Sequence, residues 1–198
     1  MFGPSKVDMW SQLSEQIGGD FEKGGFLRKD KVTLTHRQWQ ITLDTYTVST
    51  GHSAVVYTRL RAPFVNPDGF RFNIHRKHVF SWLPKMFGQQ DIEIGEPEFD
   101  EAFVIQGTSE TNVKALLANT EIRRLIDRQP KINFQVKDDE GWFGSKFPEG
   151  VDELYFQVGG IIKDKAQLKD LFDLFALVLD ELCRMGTAYD AKADVTLK

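Results

Sequence analysis

The chain reads as an α+β protein, a mostly antiparallel sheet packed against helices and closed by a long C-terminal amphipathic helix. Three observations predict this. Apolar and polar residues alternate with period two in several short stretches bounded by turn residues. Those stretches follow one another closely, and strands joined by short turns pair antiparallel. Near the end, Leu168, Leu171, Phe172, Phe175, Val178, Leu179 and Leu182 recur at helical spacing, with Lys169, Asp170, Asp173 and Asp180 on the wet side. Such a stripe must be buried, and the sheet offers the face for it.

The elements follow in order. Val7, Trp10, Leu13 and Ile17 are three or four residues apart, Ser5 is placed to cap them and Gly18-Gly19 to stop them, so residues 5–17 form a helix. Lys31 to His36 and the run Trp39, Ile41, Leu43 alternate as strands. Ser49 to His52 is turn chemistry, and the β-branched and aromatic residues from Ser53 to Arg61 complete a hairpin. Asn66-Pro67-Asp68-Gly69 suits a type I turn and predicts a further hairpin, into Phe70, Phe72 and Ile74. Ser81 caps a short helix with Pro84 in its first turn and Gly88 at its end. Asp91 to Gly95 and Phe99 to Gln106 read as strand, with Phe99, Phe103 and Ile105 on one side. Val113, Leu116, Leu117 and then Ile122, Leu125, Ile126 predict two short helices or one bent helix around Asn119-Thr120. Strands follow at Ile132 to Val136 and Leu154 to Ile162.

With 198 residues, 41% hydrophobic and 27% charged, the chain is expected to form one soluble domain over residues 5–190, with 191–198 as a flexible tail. Cys183 is the only cysteine, which excludes an intrachain disulfide and a thiolate metal cluster and points to the cytoplasm. No secretory leader pattern opens the chain, and the most apolar run, Leu171 to Leu179, contains Asp173 and falls short of a membrane span. A net charge of −4 argues against bulk nucleic-acid binding but leaves room for a local basic face.

Tyr57-Thr58-Arg59-Leu60-Arg61, Gly69-Phe70-Arg71-Phe72, Gln90 to Gly95 with Phe99-Asp100, and Val151 to Phe156 together make the chain resemble an uncharacterised bacterial protein family, a domain of unknown function. The resemblance runs from about Trp39 to the last helix. It implies a bacterial, soluble, single-domain protein and carries no activity, ligand or catalytic residue with it.

Two places stand out as candidate ligand-binding surfaces. Between Ser53 and Gln90 the cations Arg59, Arg61, Arg71, Arg76, Lys77 and Lys85 face Asp68 alone. Arg59 and Arg61 share one strand face and Arg71 and His75 share another, so a hairpin would gather them for an anionic ligand, which guanidinium forks suit. The competing structural reading pairs these cations with the acidic run from Asp91 to Glu101. The second place is the connection from Asp138 to Gly150, where Trp142 and Phe143 either form a contact patch or cap the core. The apolar segment around Val79, Phe80, Trp82 and Leu83 reads as core rather than as a membrane-seating surface, and Cys183 as a buried, inert thiol.

His75 and His78 lie three apart, which in a strand sends them to opposite faces, so no metal site is expected. The acidic run lacks the calcium-loop pattern, and no glycine-rich phosphate loop, Gly-x-Ser-x-Gly elbow or His-Glu-x-x-His motif appears, so no cofactor is expected either. The reading is a non-catalytic binding or interaction protein with an anionic ligand or a protein partner. Two alternatives stay open: an enzyme using His75 or an acidic residue between Asp91 and Glu101 as acid or base, and a homo-oligomer joined through the aromatic loop or a sheet edge.

Overall fold

The computed structural model describes residues 5–25, 29–49, 51, 53–77, 91–139, 147–195 and 197. The expected helix at Ser81 to Gly88, His78, and the Trp142-Phe143 tip lie outside these residues.

Helix α1 (Lys6–Ile17) starts at Ser5, whose hydroxyl accepts the Asp8 N–H while the Asp8 carboxylate returns the bond. Gly18 ends it at φ 71°, a left-handed conformation that glycine adopts without penalty. Gly19 then lies so close to β2 that a Cβ would stand 2.6 Å from the Thr33 carbonyl oxygen. Strands β1 (Asp20–Glu22), β2 (Lys31–His36), β3 (Trp39–Ser49) and β4 (Ala54–Val65) form a meander. Strand β5 (Phe72–Arg76), helix α2 (Pro97–Ala102) and strand β6 (Phe103–Gly107) come next. Helices α3 (Glu110–Leu117) and α4 (Thr120–Asp127) lead to β7 (Asn133–Lys137) and β8 (Val151–Gly159). Helix α5 (Lys165–Arg184) begins where the Asp164 carboxylate accepts the N–H groups of Ala166 and Gln167.

One eight-stranded sheet has the order β1-β2-β3-β4-β8-β7-β5-β6, and every pairing between these strands is antiparallel. The expected α+β class and the long terminal helix hold. Two adjacent rows of side chains cross all eight strands. Phe21, Val32, Leu43, Leu60, Phe156, Phe134, Ile74 and Ile105 stand in register on one face. Their neighbours in sequence, Asp20, Thr33, Thr42, Arg61, Tyr155, Gln135, Asn73 and Gln106, form an equally continuous polar row on the other. The apolar row is covered by helices. Phe175 of α5 meets Phe134 with ring centroids 5.5 Å apart, and the Trp10 indole of α1 donates to the Ile162 carbonyl at 3.1 Å. The buried stripes of α3 and α4 join the same core.

Three expectations need correction. Glu98 to Glu101 is helix, not strand: Pro97 sits in the first turn of α2, and the Asp100 carboxylate collects the N–H groups of Ile94, Gly95 and Glu96, curling the chain before it. Phe99 reaches Phe103 across the helix-strand junction, in a tilted ring pair with centroids 4.4 Å apart, instead of by strand alternation. The turn at Asn66 to Gly69 forms, with Asp68 accepting the Phe70 N–H, yet β4 and β5 are not partners. Strands β8 and β7 lie between them. Asp91 to Gly95 is likewise not a regular strand, although the Ile92 N–H reaches the Ile105 carbonyl along the edge of β6.

In a urea titration, truncating Phe134 to Ala should remove about 3–5 kcal/mol of stability, because the ring is fully enclosed between β8, β5 and α5. Val55→Ala, at a side chain 41% exposed, should change stability by less than about 0.5 kcal/mol in the same urea titration.

Candidate functional site

The polar face of the sheet carries a groove of about 1090 Å³ over β2, β3 and β4. Cations enter it from four directions: Lys23, Lys29 and Lys31 beside β1 and β2, Arg37 from the β2–β3 turn, Arg59 and Arg61 from β4, and Lys192 from the segment after α5. Against these seven stand the carboxylates of Glu22 and Asp44. Glu22 is engaged by Lys31 at 3.0 Å, and Arg37 by Asp180 at 2.8 Å. Lys23, Lys29 and Lys192 make no ion pair among the described residues. Charge of one sign lining a concave surface focuses its field and draws counter-charged molecules in.

The floor is built around Asp44. Registered pairing places Asp44 opposite Arg59 and Thr42 opposite Arg61, so both guanidiniums converge on one carboxylate. Arg59 donates through Nε to Oδ1 at 2.5 Å and through Nη2 to Oδ2 at 3.0 Å, a fork on a fork. Arg61, only 2% exposed, adds Nη2 to Oδ2 at 2.8 Å. Burial alone would lower the Arg59 pKa, but the bonds to Asp44 and its charge together outweigh that and hold it above the ordinary value. The Arg59 guanidinium also lies over the Tyr46 ring, 4.9 Å from its centroid.

Beside it, the polar row continues through Tyr155. The Tyr46 and Tyr155 hydroxyls both donate to Gln157 Oε1, at 2.5 and 2.9 Å. Burial is the chief cause that raises both phenols above their usual pKa, so they remain donors. Lys137 Nζ stands 3.5 Å over the Tyr155 ring and 3.5 Å from Glu153 Oε2, whose residue has 0% exposure. Desolvation pushes the Lys137 pKa down, with the Glu153 charge acting the other way.

The four sequence candidates within the described residues therefore separate. Arg59 and Arg61 line the groove. Arg71 is not part of the groove lining and is held by Asp152 of β8 through Nε at 3.1 Å and Nη2 at 3.2 Å and by Asp138 at 3.1 Å. His75 is buried on the polar face of β5, opposite Asn133 and Val104. Three strand spacings, about 14 Å, divide β4 from β5. Burial lowers the His75 pKa, the Asp91 charge opposing it, so the ring is held neutral. The arginines do pair with carboxylates, as the structural reading had it, but with Asp44, Asp138 and Asp152 and not with the acidic run. Lys23, Lys29, Lys31, Arg37, Asp44 and Lys192 were not singled out in the sequence. Their signal is a second basic window, Lys23 to Arg37, in which Asp30 is the only acidic residue.

Among the described residues no group of three or more His, Cys, Asp or Glu side chains is placed to hold a metal, and no helix is long and apolar enough to cross a membrane. No family model matches the chain, and no curated protein does either. Among solved structures, the mycobacterial trehalose monomycolate transport factor A, TtfA, is similar at a TM-score of 0.50 and 9% identity, over 96% of this chain and 98% of that one. At that identity the likeness is one of fold.

Two outcomes test this geometry. In a double-mutant cycle, Lys137→Met and Glu153→Gln should couple by about 0.5–3 kcal/mol in urea-unfolding free energy, because the charges meet out of water. For His75 the folded pKa lies below the unfolded value of about 6.5, so below that pH the unfolded state takes up a proton that the folded state refuses. Its contribution is thus a loss of stability as pH falls below about 6.5, and none above. His75→Gln should shrink the drop in urea midpoint between about pH 7.5 and about pH 5.5.

Proposed function

We propose that this is a non-catalytic binding protein whose polar sheet face receives an anionic partner in the groove above Asp44. The observation that carries the reading is the charge count of that groove, seven cations against two carboxylates, in a chain whose net charge is −4. A chain with surplus acid does not collect cations in one concavity by average composition. The lone Cys183 supports a cytoplasmic location. The fold shared with a transport factor is compatible with a role in carrying or docking, as opposed to transforming, a ligand. The arginines of the floor serve a structural purpose as well, since Asp44 at 9% exposure needs them. Lys23, Lys29 and Lys192, which make no ion pair among the described residues, are the groups with charge to spare.

Charge reversal at the rim is the direct test. Fluorescence anisotropy with labelled poly-glutamate and with inorganic tripolyphosphate should show binding that weakens at least about tenfold between low and physiological salt. Lys29→Glu and Lys23→Glu should each weaken it by about 3- to 10-fold, while Lys114→Glu on α3, already paired with Glu110, should leave it unchanged. Absence of binding to both probes, or binding indifferent to salt and to the rim substitutions, rejects the reading.

A further inference from the structure

The acidic run from Asp91 to Glu101 stands at the far end of the sheet from the groove. The Ile92 N–H donates to the Ile105 carbonyl at 2.8 Å, so the chain from Asp91 to Ile94 runs outside β6, the last strand in the order. Along it Ile92 and Ile94 are half-buried against the core, while Asp91 and Glu93 are exposed. The result is a rib with its acid side outward. Through α2 the rib continues in Glu96, Glu98 and Glu101, all exposed. Two cations reach this region: Arg123 holds Glu96 at 2.9 Å, and the Lys77 ammonium donates to the Asp100 carbonyl at 2.8 Å. The six carboxylates from Asp91 to Glu101 outnumber them. At the opposite end Lys23 and Lys29, both exposed, stand on the groove rim beside β1 and β2. Seven strand spacings separate β1 from β6 and four separate β4 from β6, about 34 and 19 Å along the sheet. Exposed charges are screened over about 8 Å at physiological salt, so the rim and the rib of one molecule do not neutralise each other.

We infer that the groove rim receives the acidic rib of a second copy of this chain, joining molecules head to tail. The inference rests on the anion-binding reading above and names the partner. Charge complementarity argues for this occupant. An extended row of exposed carboxylates on an outer edge matches a concave surface rimmed by exposed lysines, and every molecule that carries the one carries the other. The rib belongs to the β6 end of the sheet and the rim to the β1 end, so the contact joins two different patches. Such a contact is heterologous: a molecule that docks its rib still offers its own groove to the next. Assembly then grows into a ring where the rotation between neighbours closes, and into a filament where it does not.

Charge exchange in the full chain tests the contact. In analytical ultracentrifugation at low salt, the parent should show a mass that rises with concentration and returns to that of the monomer at high salt or with excess poly-glutamate. Lys23→Glu with Lys29→Glu on the rim, and Glu93→Lys with Glu101→Lys on the rib, should each weaken self-association at least about tenfold. An equal mixture of the two variants should recover it, because the unaltered rim of one meets the unaltered rib of the other. If either variant does not fold by circular dichroism, the salt and poly-glutamate arms on the parent decide. Association that is indifferent to salt and poly-glutamate, or that the mixture does not recover, refutes the head-to-tail contact. A parent that stays monomeric at low salt yet binds tripolyphosphate refutes the contact and leaves the anion groove standing. A parent that neither associates nor binds tripolyphosphate or poly-glutamate overturns both.

Discussion

The fold depends on one constraint, the strict alternation of side chains along strands that are all held in a single register. Because Phe21, Val32, Leu43, Leu60, Phe156, Phe134, Ile74 and Ile105 line up across the sheet, each of their neighbours is forced onto the opposite face in the same row. A slip of one residue would turn a polar side chain into the core, Arg61 for Leu60 in β4, Gln135 for Phe134 in β7, Asn73 for Ile74 in β5 and Gln106 for Ile105 in β6. The row that builds the core therefore also positions Arg61 and Tyr155. Core and groove are two readings of the same register.

Electrostatics then follow from which polar residues fall near one another. Asp44 meets Arg59 and Arg61; Asp152 meets Arg71 and also accepts the Asn66 amide at 2.6 Å. Asp44 and Asp152 are thus each shared among donors, the condition under which buried carboxylates are tolerated away from water. A run of negative charge lies elsewhere, on Glu96, Glu98, Asp100 and Glu101 around α2. Separation of the two signs lets an acidic protein present a basic concavity.

Local pattern made much of this legible from the amino acids. The capped first helix, the strands at Lys31 to His36 and Trp39 onward, the hairpin into Ala54 to Val65, the helix pair around Asn119 and the amphipathic stripe of α5 all rest on short-range spacing, and short-range spacing is what a sequence displays. Asn119 illustrates the point: its carboxamide caps α4 by accepting the N–H groups of Glu121 and Ile122, which separates two helices where periodicity alone left one bent helix open. Strand partnership was not legible. A proline-aspartate-glycine turn marks a change of direction but says nothing about which strand lies beside the next, and β8 displaced β5 as the neighbour of β4. The groove inherited that gap. Arg59 and Arg61 were visible as a pair on one strand, while Lys23, Lys29, Arg37 and Lys192 converge with them only because the meander and the C-terminal segment meet in space. In Glu98 to Ala102, alternation was outweighed by Pro97 and by the hydrogen-bond demand that Asp100 meets, while Phe103 to Gln106 is strand as the pattern had it.

The insertion of the β7–β8 hairpin between β4 and β5 has a temporal consequence. As the polypeptide leaves the ribosome, the meander and the β5–β6 ribbon emerge as separate ladders, each with a raw edge and an uncovered apolar surface. They can be welded together only after β7 and β8 have been made, and the helix that seals the seam comes later still. Assembly is therefore governed by contacts distant in sequence, so the nascent half-sheets have reason to be shielded until those strands emerge.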